Sequence, residues 1–390
     1  MINISKKSNC CGCQACFNKC PKDAITMIED EKGLKYPKID KEKCINCGLC
    51  EKACPILKKI KVENEPKAYA CFNLNDEIRM QSSSGGIFTV IASNIIDKGG
   101  IVFGATWNDD FSKVEHTYVE NKDELSKFRG AKYLQSDIKK SYIQVKEFLD
   151  KGRYVLFTGT PCQIEALKSF LNKDYDKLYL QDIICHGVPS PKVWTAYKKF
   201  MEQKNENSKT TNMQFRDKTT EGWNRYHVKM QFNNNETYDI EHGKDIYMKA
   251  FLSNIALRDS CTNCKFKKEN RASDITLADF WGINNIRPDM NDEKGTSLVI
   301  VNSEKGKLLF EEILNIIKSE EVDFHTAIKS NPSMNTVSPR NSKNNEFFAD
   351  IDKMHFDELV EKYIPEHIPK PSIAKKVMSK MKRIIKKILK

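Results

Sequence analysis

The sequence predicts a two-part chain: a small α+β cysteine-rich head at residues 1–62, then a larger α/β domain at 63–328. Three observations carry this. Two sets of four cysteines, Cys10, Cys13, Cys16, Cys20 and Cys44, Cys47, Cys50, Cys54, fall within the first 62 residues, which are short of large apolar side chains. A lysine-rich stretch, Lys58-Lys59-Ile60-Lys61, followed by Glu65-Pro66, closes that part. From Lys67 onward, β-rich runs alternate with helical periods, the pattern of a mixed α/β fold. A chain of 390 residues has room for such a pair and for a core that buries a cofactor.

Taken in order, Lys67–Leu74 reads as a strand, and Ile87, Val90, Ile91, Ile95 and Ile96 mark a helix after Ser82-Ser83-Ser84-Gly85-Gly86. Gly100–Trp107 is a second strand. Arg153–Thr158 is a third, and Gly159-Thr160-Pro161 turns it into a helix whose proline sits where a missing N–H does no harm. Leu178–Cys185 is a strand ending in His186-Gly187, and Ser190-Pro191 caps a helix running to Met201. Asn212–Arg216, Tyr226–Phe232, Asp274–Phe280 and Ser297–Asn302 read as later strands, before a helix over Glu304–Ile317. Residues 330–350, rich in Asn, Ser and Pro, read as a surface loop within a linker and C-terminal extension at 329–369.

Composition narrows the function. At 39% hydrophobic and 30% charged residues, with no window near the roughly eighteen apolar residues of a membrane span, the chain reads as water-facing. Its polar N-terminus runs straight into cysteines and lacks an export signal, so the fourteen cysteines are expected in a reducing cytoplasm and point to metal or redox chemistry, not disulfides. The net charge of +11 is uneven: Lys370–Lys390 holds eight Lys and one Arg without acids. Nine of the eleven excess charges therefore sit at the end, and no nucleic-acid partner is expected. Apolar residues 373, 377, 378, 381, 384, 385, 388 and 389 make 370–390 a basic amphipathic helix. It suits peripheral attachment to an anionic membrane surface, with a solvated or partner-bound helix as the alternative.

Cys10-x2-Cys13-x2-Cys16-x3-Cys20-Pro21 and Cys44-x2-Cys47-x2-Cys50-x3-Cys54-Pro55 are two copies of the bacterial iron–sulfur run, in which the fourth cysteine reaches the other cluster. On that rule Cys10, Cys13, Cys16 and Cys54 hold one 4Fe–4S centre, and Cys44, Cys47, Cys50 and Cys20 the second. Zinc also uses Cys-x2-Cys, but does not require a third cysteine at the same step or the repeat. The head is thus ferredoxin-like, an α+β unit that moves single electrons. Cys162, Cys185, Cys261 and Cys264 are dispersed, yet Cys162 and Cys185 stand at strand ends, which gather along one sheet edge. Together the four suit a third cubane, a zinc site, or, for Cys162 and Cys185, plain burial. Cys11 and Cys71 are left over.

Other candidates are single features. Ser83, Ser84, Gly85 and Gly86 offer hydroxyls and free N–H groups to a phosphate, or an ordinary helix cap. Lys132, in Arg129-Gly130-Ala131-Lys132-Tyr133, and Thr160 are further candidate cofactor contacts. His186, Arg271, Asp274 and Asp279 are the candidate polar groups near a reacting centre, His186 having a structural role as its alternative.

The order SSSGG, RGAKYLQSD, GTPCQ, CHGVPSP, FRDK then GW, CxxC and RxxDITxxDFWG resembles the beta-subunit family of coenzyme F420-reducing hydrogenases and dehydrogenases, over residues 65–325. The head matches the form in which two 4Fe–4S motifs precede that domain, and plant 7-hydroxymethyl chlorophyll a reductase looks like a relative. The resemblance implies an α/β flavin-binding domain of that type, with FAD beside a 4Fe–4S centre on the family's four cysteines, here Cys162, Cys185, Cys261 and Cys264. It places Ser82–Gly86 and the Lys132 loop near the flavin. The implied function is an oxidoreductase passing electrons between FAD-linked hydride chemistry on an organic donor or acceptor and the clusters, with a redox carrier such as ferredoxin. Similar proteins with a head and a basic tail look like those found with bacterial surface-glycan biosynthesis genes. A non-catalytic electron-transfer subunit is the alternative. No residue here specifies a deazaflavin pocket.

Overall fold

A computed structural model describes residues 2–4, 6–58 and 60–365; the basic tail lies outside them. The head comprises α1 (Ala15–Lys19), the hairpin β1 (Ile25–Glu29) and β2 (Lys35–Ile39), and α2 (Leu49–Lys52). Its two cysteine runs share one backbone device. Gly12 and Asn46, before the second cysteine, and Gln14 and Gly48, after it, all have positive φ. Left-handed residues on either side of a cysteine turn successive N–H groups toward one concavity, as anion-binding nests do.

The body continues with β3 (Lys67–Asn73), α3 (Asp76–Met80), α4 (Ile87–Asp97), β4 (Ile101–Trp107), β5 (Val114–Val119), α5 (Ser141–Asp150), β6 (Val155–Thr158), α6 (Pro161–Leu171) and β7 (Leu178–Ile183). Next come α7 (Pro191–Lys204), β8 (Thr210–Asp217), β9 (His227–Phe232), β10 (Thr237–Glu241) and α8 (Ile246–Leu252). The chain then runs through β11 (Ile275–Asp279), β12 (Ser297–Val301), α9 (Glu304–Glu311), β13 (Ile317–Val322), α10 (Phe324–Ile328), α11 (Asn344–Asp350) and α12 (Phe356–Tyr363). Eight strands form one mixed sheet, ordered β13-β3-β12-β11-β7-β6-β4-β5. Its centre, β11-β7-β6-β4, is parallel, and the flanking strands are antiparallel.

Both faces of the sheet are covered, as a parallel centre requires. Ile87, Ile91 and Ile95 of α4 with Leu309 and Phe310 of α9 pack on one face. Tyr142 and Val145 of α5 with Ile164, Leu167 and Phe170 of α6 pack on the other, where Cys11, Cys13, Ala15 and Ala53 of the head join them. A separate three-stranded sheet, β10-β9-β8, closes an aromatic core around Trp194, Tyr197, Phe215 and Tyr247.

Two expectations change. The helix over Glu304–Ile317 stops at Glu311, because Ile317–Val322 pairs as an edge strand with β3 along Asn73–Ala68. Residues 330–350 are not a surface loop throughout. Met334 is fully buried, and Phe347 and Phe348 of α11 sit in the aromatic core, so this polar stretch is anchored by a few apolar side chains.

Candidate functional site

Strands β6 and β7 are parallel neighbours, so the segments that leave their C-terminal ends meet on one edge. Thr160 begins α6, its N–H donating to Gln163 Oε1 at 2.9 Å, and Cys162 lies in the first turn. Cys185 comes just after β7. The Cys261–Cys264 loop folds across this edge, the N–H of Val188 donating to Cys261 Sγ at 3.4 Å. Cys162, Cys185, Cys261 and Cys264 thus line one cavity together with Thr160, Lys267 and Arg271. The wall holds no carboxylate and five thiols, that of Cys11 in the head being the fifth, a soft donor set.

The head has two further cavities. One is lined by Cys10, Cys13, Cys16 and Cys54, the other by Cys20, Cys44, Cys47 and Cys50, the two crossed sets of the ferredoxin rule. Among the described residues no three Cys, His, Asp or Glu side chains converge tightly enough for a single metal ion. A cubane places its thiolates on separate irons, so its ligands stand farther apart than those of one ion. The nests, the apolar walls of Ile25, Ile39 and Leu49, and backbone N–H donors such as Ala24 to Cys20 Sγ at 3.3 Å fit an anionic iron–sulfur core. Burial pushes the Cys16 and Cys261 thiols up to about 12, so binding a cluster and losing those protons occur together.

Cys11 had no role in the spacing rule. It is buried and lines both the body cavity and the nearer head cavity, with Cys13 of the head and Cys162 of the body as its hydrogen-bond neighbours. Cys71 is buried in β3 and donates to Ser319 Oγ, remote from all three cavities.

The other candidates separate into groups. At the Ser82–Gly86 turn, Ser84 Oγ donates to the Thr296 carbonyl, Gly85 N–H donates to Ser297 Oγ, and Ser83 Oγ accepts the Ala131 N–H at 2.7 Å, which ties the turn to the Lys132 loop. A short helix, α3, stands between β3 and this turn. Two residues that single-residue reasoning passed over, Arg216 and Lys218 of the β8 region, reach the same place. Arg216 pairs bidentately with Asp279 at 2.8 Å, donates to the Ser83 carbonyl, and lies over Tyr226 and Trp281. Lys218 donates to the carbonyls of Arg79, Ser84 and Lys294. Trp223 donates to Asp279 and stacks on Trp281 at 5.0 Å. Neither Lys132 nor Lys218 has a carboxylate at ion-pair distance among the described residues; Lys132 donates to the carbonyls of Phe128, Arg129 and Gly130. The FRDK run, which carries Arg216 near the end of β8 and Lys218 just past it, was the available signal.

His186 adjoins the body cavity through Cys185, its ring paired with Asn254 at 2.7 Å and its carbonyl accepting from Lys267 and Ser338. Arg271 lines that cavity and is buried against Asp182 at 3.5 Å. Asp274 stands apart: at the opposite end of β11 it accepts from Leu180 N–H and Ser303 Oγ, which fixes β11 beside β7.

Comparison with known proteins adds independent findings. Residues 152–327 match the family model for the C terminus of the coenzyme F420 hydrogenase/dehydrogenase beta subunit. Residues 9–56 match that for a 4Fe–4S dicluster domain. An uncharacterized protein of Methanocaldococcus jannaschii is 27% identical over 202 residues, 44% of this chain and 55% of its own length. The coenzyme F420-dependent sulfite reductase of the same organism is 24% identical over 324 residues, 80% of this chain and 46% of its own. The chain therefore spans about half the length of these curated relatives. A chain in the F420-reducing NiFe hydrogenase complex of Methanosarcina barkeri matches at 16% identity and a TM-score of 0.48, covering 77% of this chain and 93% of that one. The chain thus joins a segment that matches a 4Fe–4S dicluster domain to one that matches the C terminus of the coenzyme F420 hydrogenase/dehydrogenase beta subunit.

Proposed function

We propose that the chain is an iron–sulfur flavoprotein oxidoreductase, with a third cluster on Cys162, Cys185, Cys261 and Cys264 and FAD between the Ser83–Ser84 turn, the Lys132 loop, Arg216 and Trp281. The observation that carries this reading is the shared wall at Cys11, which makes the body cavity continuous in packing with a head cavity. The flavin supplies two-electron hydride chemistry and the clusters single-electron steps. The chain's residues do the rest. Lys132 and Lys218 have no carboxylate at ion-pair distance among the described residues, and burial brings both amines down to about 7, so a diphosphate bound beside Ser83 and Ser84 would draw them into the charged form. Trp281 and Trp223 offer a flat apolar face. Asp279 keeps Arg216 fixed, while His186 and Arg271 hold the loops that carry Cys185 and the body cavity wall.

The partners of this reading are an organic hydride donor or acceptor and a small carrier such as ferredoxin. The sulfite-reductase relative makes reduced F420 the first donor to assay, and the surface-glycan resemblance makes a sugar-linked compound the first acceptor. Because the chain spans about half of its relatives, a second reading has it as an electron-transfer subunit for a separate enzyme. Anaerobic purification with metal and flavin analysis tests the proposal. About twelve irons and one flavin per chain are expected, and Cys162→Ser should lose about four irons while keeping the head's. Zinc in place of iron at the body cysteines, or no flavin, overturns it. Loaded protein that oxidises no organic donor and reduces no acceptor favours the subunit reading.

A further inference from the structure

Arg258 is fully buried, yet among the described residues no carboxylate lies at ion-pair distance. Its guanidinium donates to three neutral acceptors: Nε to the Cys10 carbonyl at 2.8 Å, Nη1 to Gln135 Oε1 at 3.0 Å and Nη2 to the Lys35 carbonyl at 3.0 Å. One face lies over the Tyr36 ring at 4.4 Å. A buried guanidinium without counter-charge is costly, and hydrogen bonds to carbonyls offset only part of the cost.

Its surroundings suggest where the missing charge comes from. Arg258 touches the head at Cys10 and packs so closely on the first cysteine run that a Cβ on Gly12 would lie 2.7 Å from Nη1. It also begins the body loop, its carbonyl accepting the Cys261 N–H at 2.9 Å. Gln135 links the two sides, donating to the Cys11 carbonyl while accepting from Arg258. The acidic groups that act on Arg258, after burial itself, are Cys10, Tyr36, Cys11 and Cys261, so cysteines on both sides of the junction face it.

We infer that Arg258 is the shared counter-cation of the nearer head centre and the body centre, setting the potentials of both. This rests on the reading that Cys162, Cys185, Cys261 and Cys264 hold an iron–sulfur centre. One-electron reduction adds one negative charge to a centre, so a fixed cation beside two centres favours the reduced state of each. The far head centre, on Cys20, Cys44, Cys47 and Cys50, has no buried cation in its cavity wall among the described residues; Lys22 there is exposed.

The test is a redox titration of the full loaded chain followed by electron paramagnetic resonance, with iron counted first. Arg258→Gln should lower the midpoints of the nearer head and body centres, about tenfold in reduced fraction at fixed potential, which is about 59 mV for one electron. The far head centre should not move, and Arg258→Lys, which keeps the charge, should restore most of the shift. Unmoved midpoints with full iron, a shift at one centre only, or a Lys variant as shifted as the Gln variant overturns the inference. Iron loss from both variants shows a role in folding alone and also overturns it. A parent chain without iron at the body cysteines instead overturns the reading beneath it.

Discussion

Gly85 has no room for a side chain: an added Cβ would lie 2.4 Å from the Cys71 carbonyl and 2.8 Å from the Ser297 nitrogen. As a sequence feature the Gly85-Gly86 pair suggested backbone free to approach a phosphate, but its local cause is that the turn packs directly on β3 and β12. Gly85→Ala should cost about 1–3 kcal/mol in anaerobic denaturation, whereas Gly243→Ala, whose nearest neighbour would be a side-chain oxygen at 3.6 Å, should be neutral. Lys218 makes a second residue-level prediction. Burial, with Arg79 and Arg216 nearby, brings its amine down to about 7. In the unfolded chain the amine stays protonated to about 10.4, so between these values the unfolded state binds the extra proton and stability rises with pH. Lys218→Met should remove that rise. An unchanged slope would mean the amine stays charged in the fold.

At the scale of elements, the strands of the sheet centre, though not their parallel order, were legible because they are apolar runs, and β6, β7 and β11 run into glycine turns. β6 into α6 is the clearest, with Thr160 and Pro161 marking the helix start as expected. β13 was hidden because an edge strand with alternating charges gains its structure from pairing with β3, which no local window contains. α11 was hidden by its asparagines, although Phe347 and Phe348 bury it. The cysteine runs were legible because cluster ligation is written in spacing. The Arg216–Asp279–Trp223 group was not, because its members lie far apart in the chain and only the fold brings them together. The α6 start is open to a direct test. The Thr160 hydroxyl donates to Gln163 Oε1 at 3.1 Å and lies 3.1 Å from Cys162 Sγ. Thr160→Val, which keeps the shape, should lower stability by about 1 kcal/mol with the iron complement intact. Loss of body iron would give the hydroxyl a part in holding Cys162.

At the scale of the whole molecule, the head is seated on the body by polar ties around a small apolar contact. Asp137 accepts from Gln14 Nε2 at 2.7 Å and pairs with Lys35 at 2.6 Å. Lys32 is buried between Asp259, Asn344 and Asn345, and its carbonyl accepts from Ser190. This seat matters because Cys11 and Ile56 of the head form part of the wall of the body cavity, so the head is also that cavity's cover. On the proposed reading of a cluster at Cys162, Cys185, Cys261 and Cys264, loosening the seat should therefore expose the body centre without touching any cysteine. In Asp137→Ala combined with Lys32→Met, iron should pass to a chelator on the order of tenfold faster than in the parent, as expected for removing two partly buried charged ties. The accelerated iron should be that of the body and nearer head centres, since the far head centre, on Cys20, Cys44, Cys47 and Cys50, lies in a cavity lined by head residues alone. Equal acceleration at all centres would mean that the substitutions unfold the head instead of lifting it. An unchanged rate would mean that the apolar contact of Cys13, Ala15 and Ala53 with the α5 and α6 face holds the cover in place without the polar ties.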